Sequence, residues 1–449
     1  MVANDLEKID ELIRAEEATL AQMQPASIAF AARARKALAG GVVCSWHATD
    51  PHTMYGATGS GARIRDLDGN ELIDMHLGYG VMVAGHANAK VVEAVRRRVA
   101  EGTHFALSVQ DAVAVAEHLA ERFQVPLWRF TNSGTEATMD AVRIARAATG
   151  RDLVIRVEGC YHGSPDGLDF SSWPELAYAG PAERPVPVPH TAGIPRLYGE
   201  ALRIVPFNDV EVLTRVFAEE GDRIAAMIME PVAMNMGIVA PDDGYLAQIR
   251  ELTRRHGVML VFDEVKTGAT IAYGGAIEWS GIVPDLICLA KAIGGGLPIG
   301  AVGGSEEAMG PVVSGTMEQE GTFNGNPLSM AAAKATLTEV LTKEVYAHLD
   351  ELNGVLRAGF GDVKSRFGLP VTIQTLGARG GLQFADPAPR NFRERVAIDW
   401  RIVYLEHLVQ LTGGVWIPNG DPWATSVAHT REDVARYVEN LDRFASLLA

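Results

Sequence analysis

Residues 286–300 read LICLAKAIGGGLPIG, an apolar run that ends on one charge, Lys291, and then on glycines. Five apolar residues bounded by turn signals describe a strand buried on both faces. An ammonium at the end of such a strand is costly to bury without a partner, unless it gives up its proton. The ordinary alternative is a lysine that reaches back to water. The rest of the chain decides between the two.

Working outward, similar apolar runs occur at WRFT (128–131), LVIRV (153–157), AAMIME (225–230) and VMLVFD (258–263). Helical patterns separate them. TEATMDAVRIARAATG sets Ala137, Ala141, Ile144 and Ala148 on one face and stops at Gly150, and YLAQIRELTRRHG also ends on glycine. Strands alternating with helices predict an α/β fold with a mostly parallel sheet covered by helices on both faces.

Outside this core, residues 5–22 and 26–39 carry helical patterns. ARIRDLDGNELIDM (62–75) alternates around an Asp-Gly pair and predicts a hairpin. The GATGSGA stretch before it is no dinucleotide loop, because a hairpin and not a helix follows. Residues 171–207 hold seven prolines and read as a long loop, of the kind that is usually functional or mobile. After residue 345 come a helix, short strands and a last helix, with Thr430 and Asp433 at its start as cap and first-turn acid. The predicted division is an N-terminal helical segment and hairpin (1–75), a large α/β domain (76–344) and a smaller α+β domain (345–449), to which the N-terminal segment also contributes.

Composition excludes several classes of function. The 449 residues include 40 basic and 56 acidic ones, for a net charge of −16, which argues against nucleic-acid or anionic-membrane partners. Three scattered cysteines offer neither a C-x-x-C pair nor a disulfide framework, so no metal is expected. The acidic N-terminus lacks the features of a signal peptide, and no apolar run is long enough to span a bilayer. A cytoplasmic protein is predicted.

Three strand ends carry the chemistry. VMLVFDEV closes on Asp263 and Glu264, LICLAK closes on Lys291, and FTNSGTEA sets Ser133, Gly134 and Thr135 between a strand and a helix. In open α/β sheets ligands bind beyond the carboxyl ends of strands, so the three should converge on one crevice. A helix N-terminus with hydroxyls suits an anion such as phosphate. Asp263 suits a protonated ring nitrogen, and a desolvated Lys291 suits an amine nucleophile. Phosphate, ring nitrogen and aldehyde are the three handles of pyridoxal phosphate.

The motifs NSGTEATMDAVRIARAATGR, GCYHGSPD, MEPVAMNMGIVAP, LVFDEVKTG, CLAKAIGGGLPIGAVGG and GTFNGNPLSMAAA, in this order, resemble those of class III, fold type I aminotransferases that use pyridoxal phosphate. Within that family the likeness is to the glutamate-1-semialdehyde aminomutase-like branch, and it runs from about residue 25 to the C-terminus. The resemblance implies pyridoxal 5′-phosphate as cofactor, passing through pyridoxamine 5′-phosphate. Lys291 would form the Schiff base and shuttle the proton, and Asp263 would hold the ring nitrogen. Ser133, Gly134 and Thr135 would cradle the phosphate. Tyr161 would stack on one ring face and Val265 on the other, and Asn235 would sit near the ring hydroxyl. His162 would bind the cofactor or hydrogen-bond a residue that does, and Glu230 would contact substrate or brace the crevice. Thr322 would reach the phosphate of a neighbouring subunit, which implies a homodimer with shared active sites.

Departures from the branch concern the substrate. The aminomutase has a carboxylate-reading arginine after its early Gly-Gly. Here, in AGGVVCSWHATDPH, the matching position is His47, beside Trp46, and a histidine gives no permanent bidentate clamp. Thr270 stands where many class III relatives carry an arginine. Asp421 in NGDPWATS aligns with an acidic residue of the aminomutase in altered surroundings. Trp46, Tyr79 and Trp423 suggest an aromatic pocket, and Arg379 is either a carboxylate reader or a solvent-facing side chain. These departures argue against the aminomutase activity itself. The expected function is ping-pong transamination between an amine or amino acid, with bulky, aromatic and β-amino donors all open, and a carbonyl acceptor. An aminomutase, a racemase or epimerase on the same fold, and a cofactor-binding protein without turnover stand as alternatives.

Overall fold

The computed structural model describes residues 6–449. At its centre lies a seven-stranded sheet. Across the sheet the strands run Leu127–Thr131, Gly300–Gly304, Leu286–Ala290, Met259–Asp263, Ile224–Met229, Leu153–Val157 and Leu202–Val205. Gly300–Gly304 is antiparallel to both neighbours and the other pairings are parallel.

Alternation along each strand explains why these runs are apolar throughout. Leu260 and Phe262 pack into a core on one face, while Val261 packs on the other with Ala137, Ala141 and Ile144. Likewise Ile287 and Leu289 face one core, and Leu286 and Cys288 the opposite one. Each face is covered, so neither tolerates a polar register. The helix Gly134–Thr149 covers the second face and ends at Gly150, whose φ of 67° closes it in the left-handed conformation. Ala148 is only half-buried, one turn beyond the tightly packed part of that helix.

Two strands were hidden in the sequence. Leu202–Val205 ends the proline-rich stretch, which is otherwise a long loop with a short 3-10 segment at Arg196–Ala201. Gly300–Gly304 carries three glycines in five residues, and a Cβ at Gly300 would collide with the Ser133 carbonyl oxygen and Thr131 Oγ1. The strand is glycine-rich because it runs tightly against the turn at Ser133.

The chain ends build a second core. The predicted hairpin forms between Arg63–Asp66 and Glu71–Asp74, preceded by a strand Gly56–Ser60 where GATGS stands. Glu71–Asp74 then pairs in parallel with Val415–Trp416 from the far end of the chain. Ile9 and Met75 share a core with Leu352, Leu356, Val409 and Phe444. The last helix, Arg431–Leu448, starts with the anticipated cap: Thr430 and Asp433 form a reciprocal capping box.

Candidate active site

The crevice opens at the carboxyl ends of the parallel strands. Met259–Asp263 delivers Asp263, Leu286–Ala290 delivers Lys291, Ile224–Met229 delivers Glu230, and Leu127–Thr131 leads into Ser133. These residues line one cavity of about 380 Å³. A second cavity of about 350 Å³ adjoins it and shares Trp46, Tyr161, Asn235, Lys266 and Lys291. The three strand ends singled out from sequence do meet.

Lys291 adopts a left-handed backbone, φ 51°, immediately after its strand. Such a conformation is strained for a non-glycine residue and here turns the chain at the cavity wall. Its Nζ has no hydrogen-bond or ion-pair partner among the described residues. Burial first, and then the like charge of Lys266, push its pKa down to about 7. Near neutrality a large share of Lys291 is therefore the uncharged amine.

Asp263 is almost fully buried and is held by two donors: His162 Nδ1 at 2.7 Å from Oδ2, and the Val265 backbone N–H at 3.1 Å from Oδ1. Facing a carboxylate, Nδ1 is the protonated nitrogen of His162, and the buried Nε2 has no partner. His162 thus braces Asp263 from behind. Glu230 braces the neighbouring wall. Its Oε1 accepts from the Tyr161 backbone and from Asn235 Nδ2, and its Oε2 from the backbone N–H groups of Met234 and Asn235.

The anion cup forms at the start of the helix Gly134–Thr149. Ser133 caps it by accepting the Glu136 N–H, and the N–H groups of Gly134 and Thr135 lack intrahelical acceptors. A Cβ on Gly134 would stand 2.9 Å from Val265 Cγ2, and one on Gly163 would stand 2.6 Å from Thr135 Oγ1. Glycine at both positions keeps the cup open and close to its neighbours. A neutral amine, a braced carboxylate and an anion cup on one cavity fit the aldehyde, ring nitrogen and phosphate of pyridoxal phosphate.

The substrate-side expectations divide. Trp46 and Tyr79 line the second cavity with ring centroids 5.1 Å apart, and the Tyr79 hydroxyl donates to the Trp46 carbonyl. Trp173 from the proline-rich loop and Trp400 complete an aromatic wall with centroids 5.6 Å apart. His47, by contrast, is exposed and lines neither cavity. Trp423 is not a pocket residue: it is fully buried against Phe360 and Tyr437, and its Nε1 donates to Asn353 Oδ1. Arg379 is not solvent-facing. It is 1% exposed, lines neither cavity, and leaves Nε and Nη1 without partners. Thr322 is exposed and lines a separate cavity with Phe105 and Leu107, apart from its own chain's Lys291.

Sequence reasoning missed Lys266, which lines both cavities, and the tryptophans Trp173 and Trp400. The signal for Lys266 was its place three residues after the strand-end Asp263. Thr270, standing where an arginine is common, is buried and bonds back to the Lys266 carbonyl. Asp421 lines the second cavity, with Oδ2 3.6 Å from His76 Nε2.

The description of the aminotransferase class-III family matches residues 46–427. A glutamate-1-semialdehyde 2,1-aminomutase from Staphylococcus carnosus is 37% identical over 418 residues, covering 92% of this chain and 96% of that protein. Among solved structures, an omega-transaminase from Sphaerobacter thermophilus superposes with a TM-score of 0.89 at 33% identity, covering 94% of this chain and 97% of the other. A glutamate-1-semialdehyde aminomutase from Pseudomonas aeruginosa, in complex with PMP, gives a TM-score of 0.91 at 30% identity, covering 99% of both.

Proposed function

This chain belongs to the class-III aminotransferase family of pyridoxal-phosphate-dependent, fold type I enzymes, and from that premise we propose that it moves an amino group within one substrate, as an aminomutase. The relatives favour this reading over the intermolecular transamination expected from sequence. The observation that carries the chemistry is the pairing, on one cavity wall, of an unpartnered Lys291 with an Asp263 that His162 holds in place.

When bound, pyridoxal phosphate supplies an aldehyde that captures amines and a ring that draws electrons from the carbon being deprotonated. The chain's own residues do the rest. Lys291 Nζ, a large share of it uncharged near pH 7, would take the proton from the substrate carbon and return one at the new position. Asp263 holds the ring-nitrogen proton, and His162 fixes the carboxylate's direction. Ser133, Gly134 and Thr135 would hold the phosphate, Tyr161 and Val265 would pack against the ring, and Asn235, fixed by Glu230, would be placed to bond the ring hydroxyl. Asp263 is buried at its strand end, while Lys291 stands half-buried on the wall of both cavities, where a substrate can reach it.

Thr322 acts across a homodimer in this reading, which accounts for its place outside the Lys291 cavity of its own chain, and residues 76–344 would form the cofactor-binding domain, with Trp46, Trp400 and Asp421 reaching its cavities from the segments on either side. No helix among the described residues is long and apolar enough to cross a membrane, which fits a cytoplasmic enzyme acting on small molecules.

A second reading, transfer from an amine donor to a separate carbonyl acceptor, is favoured by one observation: the aromatic wall of Trp46, Tyr79, Trp173 and Trp400 suits a bulky side chain. One assay separates the two. Purified enzyme is given glutamate-1-semialdehyde with no other amine or carbonyl compound. The aminomutase reading expects the amino group to move from C2 to C1 with full turnover. A single half-turnover that resumes only with an added keto acid would establish the second reading instead.

A further inference from the structure

Lys266 faces the same two cavities as Lys291, yet nothing in the reaction so far requires a second amine there. Its Nζ has no hydrogen-bond or ion-pair partner among the described residues. The nearby carboxylates are already committed. Asp263 is held by His162 and the Val265 N–H, and all of Glu230's accepting capacity goes to Tyr161, Met234 and Asn235. Asp421 shares the second cavity, where its Oδ2 lies 3.6 Å from Nε2 of His76, an imidazole that burial and the nearby cations keep uncharged, and no salt bridge within 4 Å joins Asp421 to Lys266. Lys266 is half-buried on the wall of both cavities, and an ammonium there without a protein partner is a ready site for a bound anion. Burial already lowers the Lys266 pKa, with Asp421 opposing the shift.

We propose that Lys266 is the residue that reads the substrate's carboxylate, replacing the arginine that position 47 lacks, and that the substrate is an amino acid or amino aldehyde bearing such a group rather than a simple amine. This rests on Lys291 being the reactive amine, since Lys266 selects what Lys291 receives. With His47 out at the surface and lining neither cavity, the cation for a charged substrate would come instead from the turn after Asp263. As a compact point charge and not a planar fork, lysine fixes the carboxylate's place without fixing its plane.

The test uses the holoenzyme with Lys266→Met and Lys266→Arg. Succinate, which carries carboxylates and no amine, is titrated against tryptophan fluorescence, because Trp46 lines both cavities. Separately, kcat/KM is compared for an amino acid and for the amine of the same skeleton without its carboxylate. Loss of one charged contact is worth about 10- to 100-fold. Lys266→Met is expected to weaken succinate by that factor and to reduce the amino-acid-over-amine ratio equally, with Lys266→Arg restoring most of both. Unchanged succinate affinity and an unchanged ratio overturn the proposal. So does loss of bound cofactor with the ratio intact, which would place Lys266 on the phosphate. A wild-type protein with no cofactor attached at Lys291 defeats the underlying functional reading, whereas the succinate titration reports on Lys266 in either case.

Discussion

His162 Nδ1 lies 2.7 Å from Asp263 Oδ2, with both side chains buried and the other imidazole nitrogen unpartnered. The contact fixes which way the carboxylate points in a cavity where rotation by one rotamer would aim it elsewhere. Asp263→Asn keeps the size and one acceptor but removes the charge that the ring-nitrogen proton needs. The expected loss in amino-group transfer is on the order of 10²–10³-fold, with cofactor still bound. Single-turnover absorbance kinetics measure it, and near-normal rates would remove the role given to Asp263.

The Lys291 amine should titrate near pH 7, far below an ordinary lysine, because burial and the Lys266 charge outweigh the opposing pull of Asp263 and Glu230. Below that pH Lys291 is protonated and unreactive, and above it the amine is free. Capture of a small aldehyde by cofactor-free protein should rise with pH to about 7 and then level off. Lys266→Met removes a like charge, so the midpoint should move up. A rate still climbing at pH 9 in the wild type would contradict the assigned cavity electrostatics.

Gly163 has φ 83° and no room for a side chain beside Thr135. Gly163→Ala therefore combines backbone strain with a clash against the cup, and the expected loss of stability is about 1–3 kcal/mol. Cofactor affinity should fall in the same variant, because Thr135 is the residue displaced. Denaturant unfolding and cofactor titration together check it, and a destabilised protein with unchanged affinity would detach Thr135 from the phosphate.

Trp423→Phe separates core from pocket. The substitution leaves Asn353 Oδ1 without its buried donor and shrinks a packed cluster with Phe360 and Tyr437. The expected cost is about 2–4 kcal/mol in unfolding free energy, with KM unchanged for every substrate at temperatures where the variant is folded. A changed KM would return Trp423 to the substrate wall.

Much of the site was legible because its chemistry is local to strand ends. Asp263, Lys291 and Ser133 each follow an apolar run, and the rule that ligands gather at carboxyl ends places them together without any tertiary information. The Gly300–Gly304 strand was not legible, because its glycines answer to Ser133 on one side and Trp128 on the other, and neither contact is visible from spacing. Trp423 and Arg379 were misplaced for the same reason. Only the pairing of Arg379–Gln383 with Trp423–Ala424 shows that both side chains are buried, Trp423 in the core built by the chain ends and Arg379 against Gly80. Lys266 escaped notice because DEVKTG reads as one motif, whereas in space its lysine leaves the turn to share the cavity of Lys291.

The central claim is that Lys291, and not the neighbouring Lys266, carries the cofactor. Borohydride reduction of the holoenzyme followed by peptide mass mapping tests it directly, since both lysines face the cavity and both have lowered pKa values. The expected result is the reduced cofactor's mass on the Lys291 peptide alone, abolished in Lys291→Ala and retained in Lys266→Met. Label on Lys266, or on neither lysine, would contradict the account.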